Sequence, residues 1–294
     1  MTQRAFQSSE LILNSDGSVY HLAIGPEHVA DTVIIVGDQG RVEKISRRFD
    51  SIEHSVHKRE FKTHTGTYQG KRLTVCSTGI GTDNIDIFMN ELDAAVNIDL
   101  ENKQLKESRK SLNIIRLGTC GALHEDIPVG GHIISTHGLG LGGLMHFYEY
   151  PYDDDELAMS DAIQKHLSWQ DYIARPYIVK GAQEIVNEFM PSMTPGITAT
   201  APGFYAPQGR SLYLPARYQD VNERLREFSF EGKRVANFEM ETSVLYGLGN
   251  LLGHRCATCC VVLANRATGD YAQNSAEVVE SLIDVVLEKV LNLS

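Results

Sequence analysis

The sequence predicts an α/β fold, a single layered domain spanning residues 1–294. Three observations carry that expectation. Strand-like runs alternate with helically spaced segments along the whole chain, and two of the runs, TVIIV (32–36) and CATCCVVLAN (256–265), are apolar enough to be buried strands. No Pro/Gly/Ser-rich linker and no internal repeat interrupts the pattern.

In chain order, TVIIV runs into GDQGR, which turns into the helical segment RVEKISRRF (41–49). TGTYQGKRLTVCST (65–78) predicts two strands around a Gly-Lys turn, and IDIFMNELDAAVNI (85–98) has helical spacing. The charged stretch DLENKQLKESRKS (99–111) is expected on the surface, with strands following at NIIRLGT (113–119) and GGHIIST (130–136). YEYPYDDDE (148–156) is expected to be an acidic surface loop, QEIVNEF (183–189) a short helix and GITATAPGF (196–204) a strand. VANFE (235–239) leads into a helix, METSVLYGLGNLLG (240–253), that stops at a glycine. The CATCCVVLAN strand and a last helix, SAEVVESLIDVVLEKVLNL (275–293), close the chain.

Composition narrows the function. Hydrophobic residues make up 42% and charged residues 22%, and the net charge is −11 with a pI near 5.5. Nucleic acids and anionic membranes reward clustered Lys and Arg, so neither is an expected partner. No apolar run reaches the roughly 18 residues of a membrane span. The polar start MTQRAFQSSE does not read as a signal peptide, so the expected location is the cytoplasm. The five cysteines are irregularly spaced. Cys256 and Cys259 match C-x-x-C, but on a strand positions three apart face opposite ways, which predicts buried thiols and no metal. Gly138, Gly140 and Gly143 match G-x-G-x-x-G, yet LMHFYEYPYDDDE after them has no helical face, which argues against a dinucleotide fold. The eleven histidines show no metal-ligand spacing.

An anion site is suggested at VGDQGR (36–41), where a glycine turn between strand and helix presents backbone N–H groups and Arg41 adds a bidentate cation. FEMET (238–242) raises a second question, since two glutamates one residue apart could be acid and base, metal ligands or surface charge. A wider pattern bears on both. DGSVYHLAIG (16–25), GDQGRVEKI (37–45), KREF (58–61) and VCSTGIGTDNI (75–85) are followed by IIRLGTCGAL (114–123), FYAPQGR (204–210), NFEMETSVLYGLGNLLGHR (237–255) and VVLANR (261–266). In this order and spacing they resemble the hexameric nucleoside phosphorylase superfamily, and its uridine phosphorylases most, from about residue 16 to 290.

The resemblance implies a three-layer sandwich whose mixed, partly barrel-like β-sheet is flanked by helices. It also implies a pentosyltransferase that cleaves uridine, or another pyrimidine nucleoside, with inorganic phosphate as co-substrate. By similarity Gly37, Arg41, Arg116 and Thr119 bind phosphate, with Arg59 lent by a neighbouring copy. His21, also from a neighbour, joins Thr119, Met240 and Glu241 at the ribose, with Glu241 holding its vicinal hydroxyls and Glu239 in support. A dimer would then be the minimal active unit and a homohexamer the assembly. Phe204, Gln208, Arg210, Leu263 and Ala264 form the base pocket; Gly209 stands where the family pattern has a charged residue. Gln208 both donates and accepts while Arg210 only donates, which matches the carbonyl, N–H, carbonyl edge of uracil. Arg116, Gln208, Arg210 and Glu241 are the expected catalytic group. Glu60, Ile80 and Asn84 mark a candidate site for a structural potassium ion, with Asn84 replacing a hydroxyl residue. Rival readings are a purine nucleoside phosphorylase, disfavoured because VVLANR lacks an Asp, a nucleosidase, disfavoured by the three arginines, and a non-catalytic nucleoside-binding protein.

Overall fold

The computed structural model describes residues 5–293, so Met1–Arg4 of the polar start lie outside the described residues. From the N-terminal side the elements are β1 (Thr32–Val36), α1 (Gln39–Ser46), β2 (Ser51–Lys58), β3 (Phe61–Tyr68), β4 (Lys71–Ser77) and α2 (Thr82–Asn97). A small hairpin, β5 (Ile98–Asp99) with β6 (Gln104–Leu105), sits in the charged stretch and is followed by β7 (Asn113–Ala122) and β8 (His132–Gly140). Next come α3 (Asp154–Leu167), β9 (Tyr177–Lys180), α4 (Gln183–Phe189) and β10 (Thr194–Thr200). The chain closes with α5 (Val221–Glu227), β11 (Ser229–Phe230), β12 (Lys233–Glu239), α6 (Thr242–Leu252), β13 (Arg255–Asn265) and α7 (Ser275–Val290).

Eleven strands form one mixed sheet in the order β11-β12-β10-β8-β13-β7-β1-β4-β3-β2, with β9 on β8. β12 also pairs antiparallel with β7, through Asn237 opposite Ala122 and Phe238 opposite Gly121. That seam closes β7, β13, β8, β10 and β12 into a ring, the barrel within the sheet. Beyond the ring, β1 runs parallel to both β7 and β4.

Strand alternation explains why helices cover both faces. Val33 and Ile35 of β1 join a core with Phe88 and Met89 of α2 and Leu245 of α6, whereas Ile34 and Val36 join Val42 of α1, Phe189 of α4 and Ile283 of α7. The same rule separates the C-x-x-C pair: Cys256 faces the first core and Cys259 the second. All five thiols are free and buried, and burial pushes Cys76 up to about 12. Little of the reactive thiolate exists there at neutral pH. Ellman's reagent should therefore detect no more than about one fast thiol in the folded protein, and all five cysteines once guanidinium unfolds it. Rapid native labelling of Cys256 or Cys259, read by mass spectrometry, would contradict this burial.

Several expectations change in detail. The β3–β4 turn is at Gln69 and Gly70, both with positive φ, one residue before the expected Gly-Lys turn. The acidic stretch is not wholly a loop. Asp153 accepts a hydrogen bond from the Glu156 backbone N–H at 2.9 Å, and Glu156 accepts one from Asp153 N–H at 3.1 Å, a reciprocal cap that starts α3. Glu156 is buried and also accepts from Lys180 N–H, so the segment's last acid is internal. Two of the three glycines have a packing reason: a Cβ on Gly138 would sit 2.6 Å from Ser243 Cα in α6, and one on Gly140 2.0 Å from the Tyr177 ring.

Candidate active site

A cavity of about 840 Å³ opens beyond the C-terminal ends of β1, β4 and β12 and beside the C-terminal parts of β7 and β13. It is lined by Gly37, Asp38 and Arg41 from the β1–α1 turn and by Arg116 and Thr119 from β7. Asp38 caps α1 by accepting from Gly40 N–H at 2.9 Å, which fixes the turn. Among the described residues no carboxylate lies within ion-pair distance of the Arg41 guanidinium. Burial, then the charge of Arg116, lowers the Arg41 pKa. A half-buried cation and a buried one that repel each other favour an anion between them.

Arg116 is shared with carboxylates. Its Nη2 donates to Glu241, its Nη1 lies 3.2 Å from Glu239 Oε2, and its side chain is 6% exposed. Burial alone would lower its pKa, but Glu241 and Glu239 outweigh that and hold it above its ordinary value. Gly118, two residues along β7, makes room for it: a Cβ there would lie 2.1 Å from Nη1. The expected phosphate ligand is therefore also the counter-ion of the two glutamates.

FEMET spans the end of β12 and the start of α6 at Thr242, so its two glutamates are placed differently. Glu239 also lines the cavity, and it accepts from Thr200 Oγ1 at 2.7 Å and from the Glu241 and Thr242 backbone N–H groups at 2.8–3.0 Å. Burial raises its pKa, Arg116 opposes the rise and Glu241 adds to it. Glu241 faces the cavity, with Oε1 accepting from Gly81 N–H at 2.7 Å and Oε2 held by Arg116. A carboxylate has about four lone-pair sites, so Glu241 retains acceptor capacity toward a ligand hydroxyl. Met240 lies beside it on the cavity wall.

Phe204, Gln208, Arg210, Leu263 and Ala264 also line the cavity. Gln208 is buried, whereas Phe204 is 52% exposed. Arg210 Nη1 donates to Gln208 Oε1 at 2.5 Å and to the Phe204 carbonyl at 2.7 Å, and its guanidinium lies 3.9 Å from the centre of the Phe204 ring. One face of Phe204 thus carries Arg210, leaving the other for stacking. Burial, with repulsion from Arg266, lowers Arg210 to about 10, so it stays charged at neutral pH. Gly209 has φ +68°, and a Cβ there would lie 3.0 Å from Val221, which gives the missing charged residue a backbone reason.

Two expected residues stand apart. His21 is held by Glu91 of α2, through Nδ1 to Oε1 at 2.5 Å and backbone N–H to Oε2 at 2.7 Å. Arg59 occupies the β2–β3 hairpin tip, where its carbonyl accepts from Gln39 Nε2. Neither lines the cavity. Glu60, Ile80 and Asn84 do line it, and Asn84 Nδ2 donates to the Ile80 carbonyl at 3.3 Å. Among the described residues no cluster of three His, Cys, Asp or Glu could hold a metal.

Sequence reasoning assigned no role to Tyr271, Arg266 or Gln39. Tyr271 reaches the cavity through a bridge to Ala264, from a loop with no periodic signal. Arg266 donates to the Gln208 carbonyl at 3.2 Å, and its position in VVLANR was a usable hint.

Residues 31–292 match the Phosphorylase superfamily, and the chain belongs to that family. It is similar to a uridine phosphorylase of Thermococcus kodakarensis, with 33% identity over 91% of this chain and 85% of the relative. A purine nucleoside phosphorylase of Bacillus subtilis is 24% identical over 92% of this chain and 98% of its own. Among solved structures, a Trypanosoma brucei nucleoside phosphorylase described as showing uridine phosphorylase activity superposes with a TM-score of 0.83 at 29% identity, covering 96% of this chain and 99% of that one.

Proposed function

We propose that this chain is a pentosyltransferase that cleaves uridine with inorganic phosphate, giving uracil and ribose 1-phosphate. The observation that carries the reading is one cavity whose lining includes Arg41 and Arg116, the hydrogen-bonded Gln208–Arg210 pair and Glu241. Phosphate arrives already charged, so its oxygen attacks the anomeric carbon without a general base. The glycosidic C–N bond breaks and its electron pair leaves with uracil, which takes a proton from water. Arg210 and Gln208 stabilise the negative charge on the departing base, while Glu241 favours the positive charge on the sugar. Cytosine presents an amino donor where Arg210 needs an acceptor, and that mismatch supports a preference for uracil.

One domain, assembled as a homohexamer with a dimer as its smallest complete unit, fits this reading. His21 and Arg59 lie off their own cavity and would complete a neighbour's. Among the described residues no helix is long and apolar enough to cross a membrane; the proposed location is the cytoplasm. The deciding experiment follows base release from uridine, inosine and adenosine with and without phosphate. Phosphate-dependent release from uridine is expected. Phosphate-independent cleavage means a nucleosidase, a preference for inosine or adenosine means a purine enzyme, and saturable uridine binding without turnover means a binding protein.

A further inference from the structure

A second cavity, of about 210 Å³, lies behind the turn that carries Gln208. Its walls include Trp169 and Ile173 from the loop after α3, Ala206 and Pro207 just before Gln208, and Arg217 and Tyr218 just before α5. It shares no lining residue with the large cavity. The Trp169 and Tyr218 rings are 5.3 Å apart and inclined by 31°, so an aromatic corner forms one side. Trp169 Nε1 is buried and, among the described residues, has no acceptor. The Arg217 guanidinium lies 5.4 Å from the centre of the Tyr172 ring and, among the described residues, within ion-pair distance of no carboxylate.

Size, lining and charge converge on one ligand chemistry. An apolar cavity of about 150 Å³ accepts a benzene ring, so this one has room for a ring and a small substituent. Flat aromatic walls favour a flat aromatic guest. The indole N–H calls for an acceptor and Arg217 for an anion. A nucleoside with its sugar exceeds the space, and an aliphatic acid would forgo the ring contacts.

We propose that this cavity binds a small aromatic carboxylate and that its occupancy is felt at the Gln208 turn. The route is short: Ala206 and Pro207 wall the cavity and belong to the same single-turn helix as Gln208. Val221 also lines the cavity and lies against Gly209, the residue between Gln208 and Arg210. A guest that spreads these walls shifts the groups expected to hold the base, and leaves Arg41 and Arg116 untouched.

Trp169 is the chain's single tryptophan, so its fluorescence reports the cavity directly, whatever reaction the other site performs. The test titrates the full chain with benzoate, benzamide and cyclohexanecarboxylate. Benzoate is expected to give a saturable change, with benzamide and cyclohexanecarboxylate each at least about tenfold weaker. Ile173→Phe, which fills the cavity, should abolish the response. Arg217→Gln, at an exposed position, should weaken both carboxylates and leave benzamide unchanged, which guards against a folding defect in the first variant. Saturating benzoate should move the nucleoside KM at least about twofold and leave the phosphate KM unchanged. Linear, non-saturating quenching, or an Ile173→Phe variant that responds like the parent, overturns the site. Saturable binding with an unmoved nucleoside KM overturns the coupling to Gln208.

Discussion

Replacing Arg116 by glutamine is expected to lower turnover by at least about 10²-fold and to destabilise the fold by about 3–5 kcal/mol. Both effects arise because Arg116 faces Glu239 and Glu241 in the interior, so its loss strands two buried carboxylates. The pH dependence of the deficit separates this cause from simple loss of packing. Burial and Glu241 already raise the Glu239 pKa, and Arg116 is the group that opposes them. Without the guanidinium the folded chain binds protons more tightly than the unfolded one, and its stability falls as pH rises through the raised value. Denaturant unfolding should therefore show a smaller deficit near pH 5 than near pH 8. Adding Glu241→Gln should recover part of the stability and none of the turnover. A single variant as stable as its parent at both pH values would refute the assignment.

Arg210→Ala should reduce kcat for uridine phosphorolysis by about 10²–10³-fold, the scale seen when one preorganised donor to a developing anion is removed. The expected loss is large because Arg210 is preorganised from two sides, by its hydrogen bonds to Gln208 and the Phe204 carbonyl and by its seat on the Phe204 ring. The KM for phosphate should hold, since Arg210 makes its contacts with Gln208 and Phe204 and none with Arg41 or Arg116. Near-normal turnover of uridine in this variant would remove Arg210 from the base site.

Much of this site could be read from the sequence because its residues stand in short local motifs. GDQGR gives a strand–turn–helix, and FEMET a strand followed closely by a helix, so their backbone placement follows from neighbours in the chain. Opposite facing of Cys256 and Cys259 followed from strand geometry alone. Non-local facts were harder to see. Nothing in NIIRLGT or VANFE announces that β7 and β12 pair to close a barrel, or that Arg116 meets the glutamates across that closure. α3 was missed for a local reason: YDDDE is polar enough to suggest a loop, although its Asp and Glu three apart form a reciprocal helix cap. Tyr271 depends on a loop folding back along β13, which has no sequence period.

The seam between β7 and β12 has a kinetic consequence. Arg116 and Glu241 are separated by 125 positions, and the two strands that bear and adjoin them pair only through the residues at their ends. Closing so long a loop incurs its entropy loss before the ion pair can repay it. Local hairpins such as β3–β4 form without that delay. A refolding chain should thus regain its local hairpins before any molecule regains turnover, so catalytic competence reports the long-range closures rather than the first appearance of β-structure.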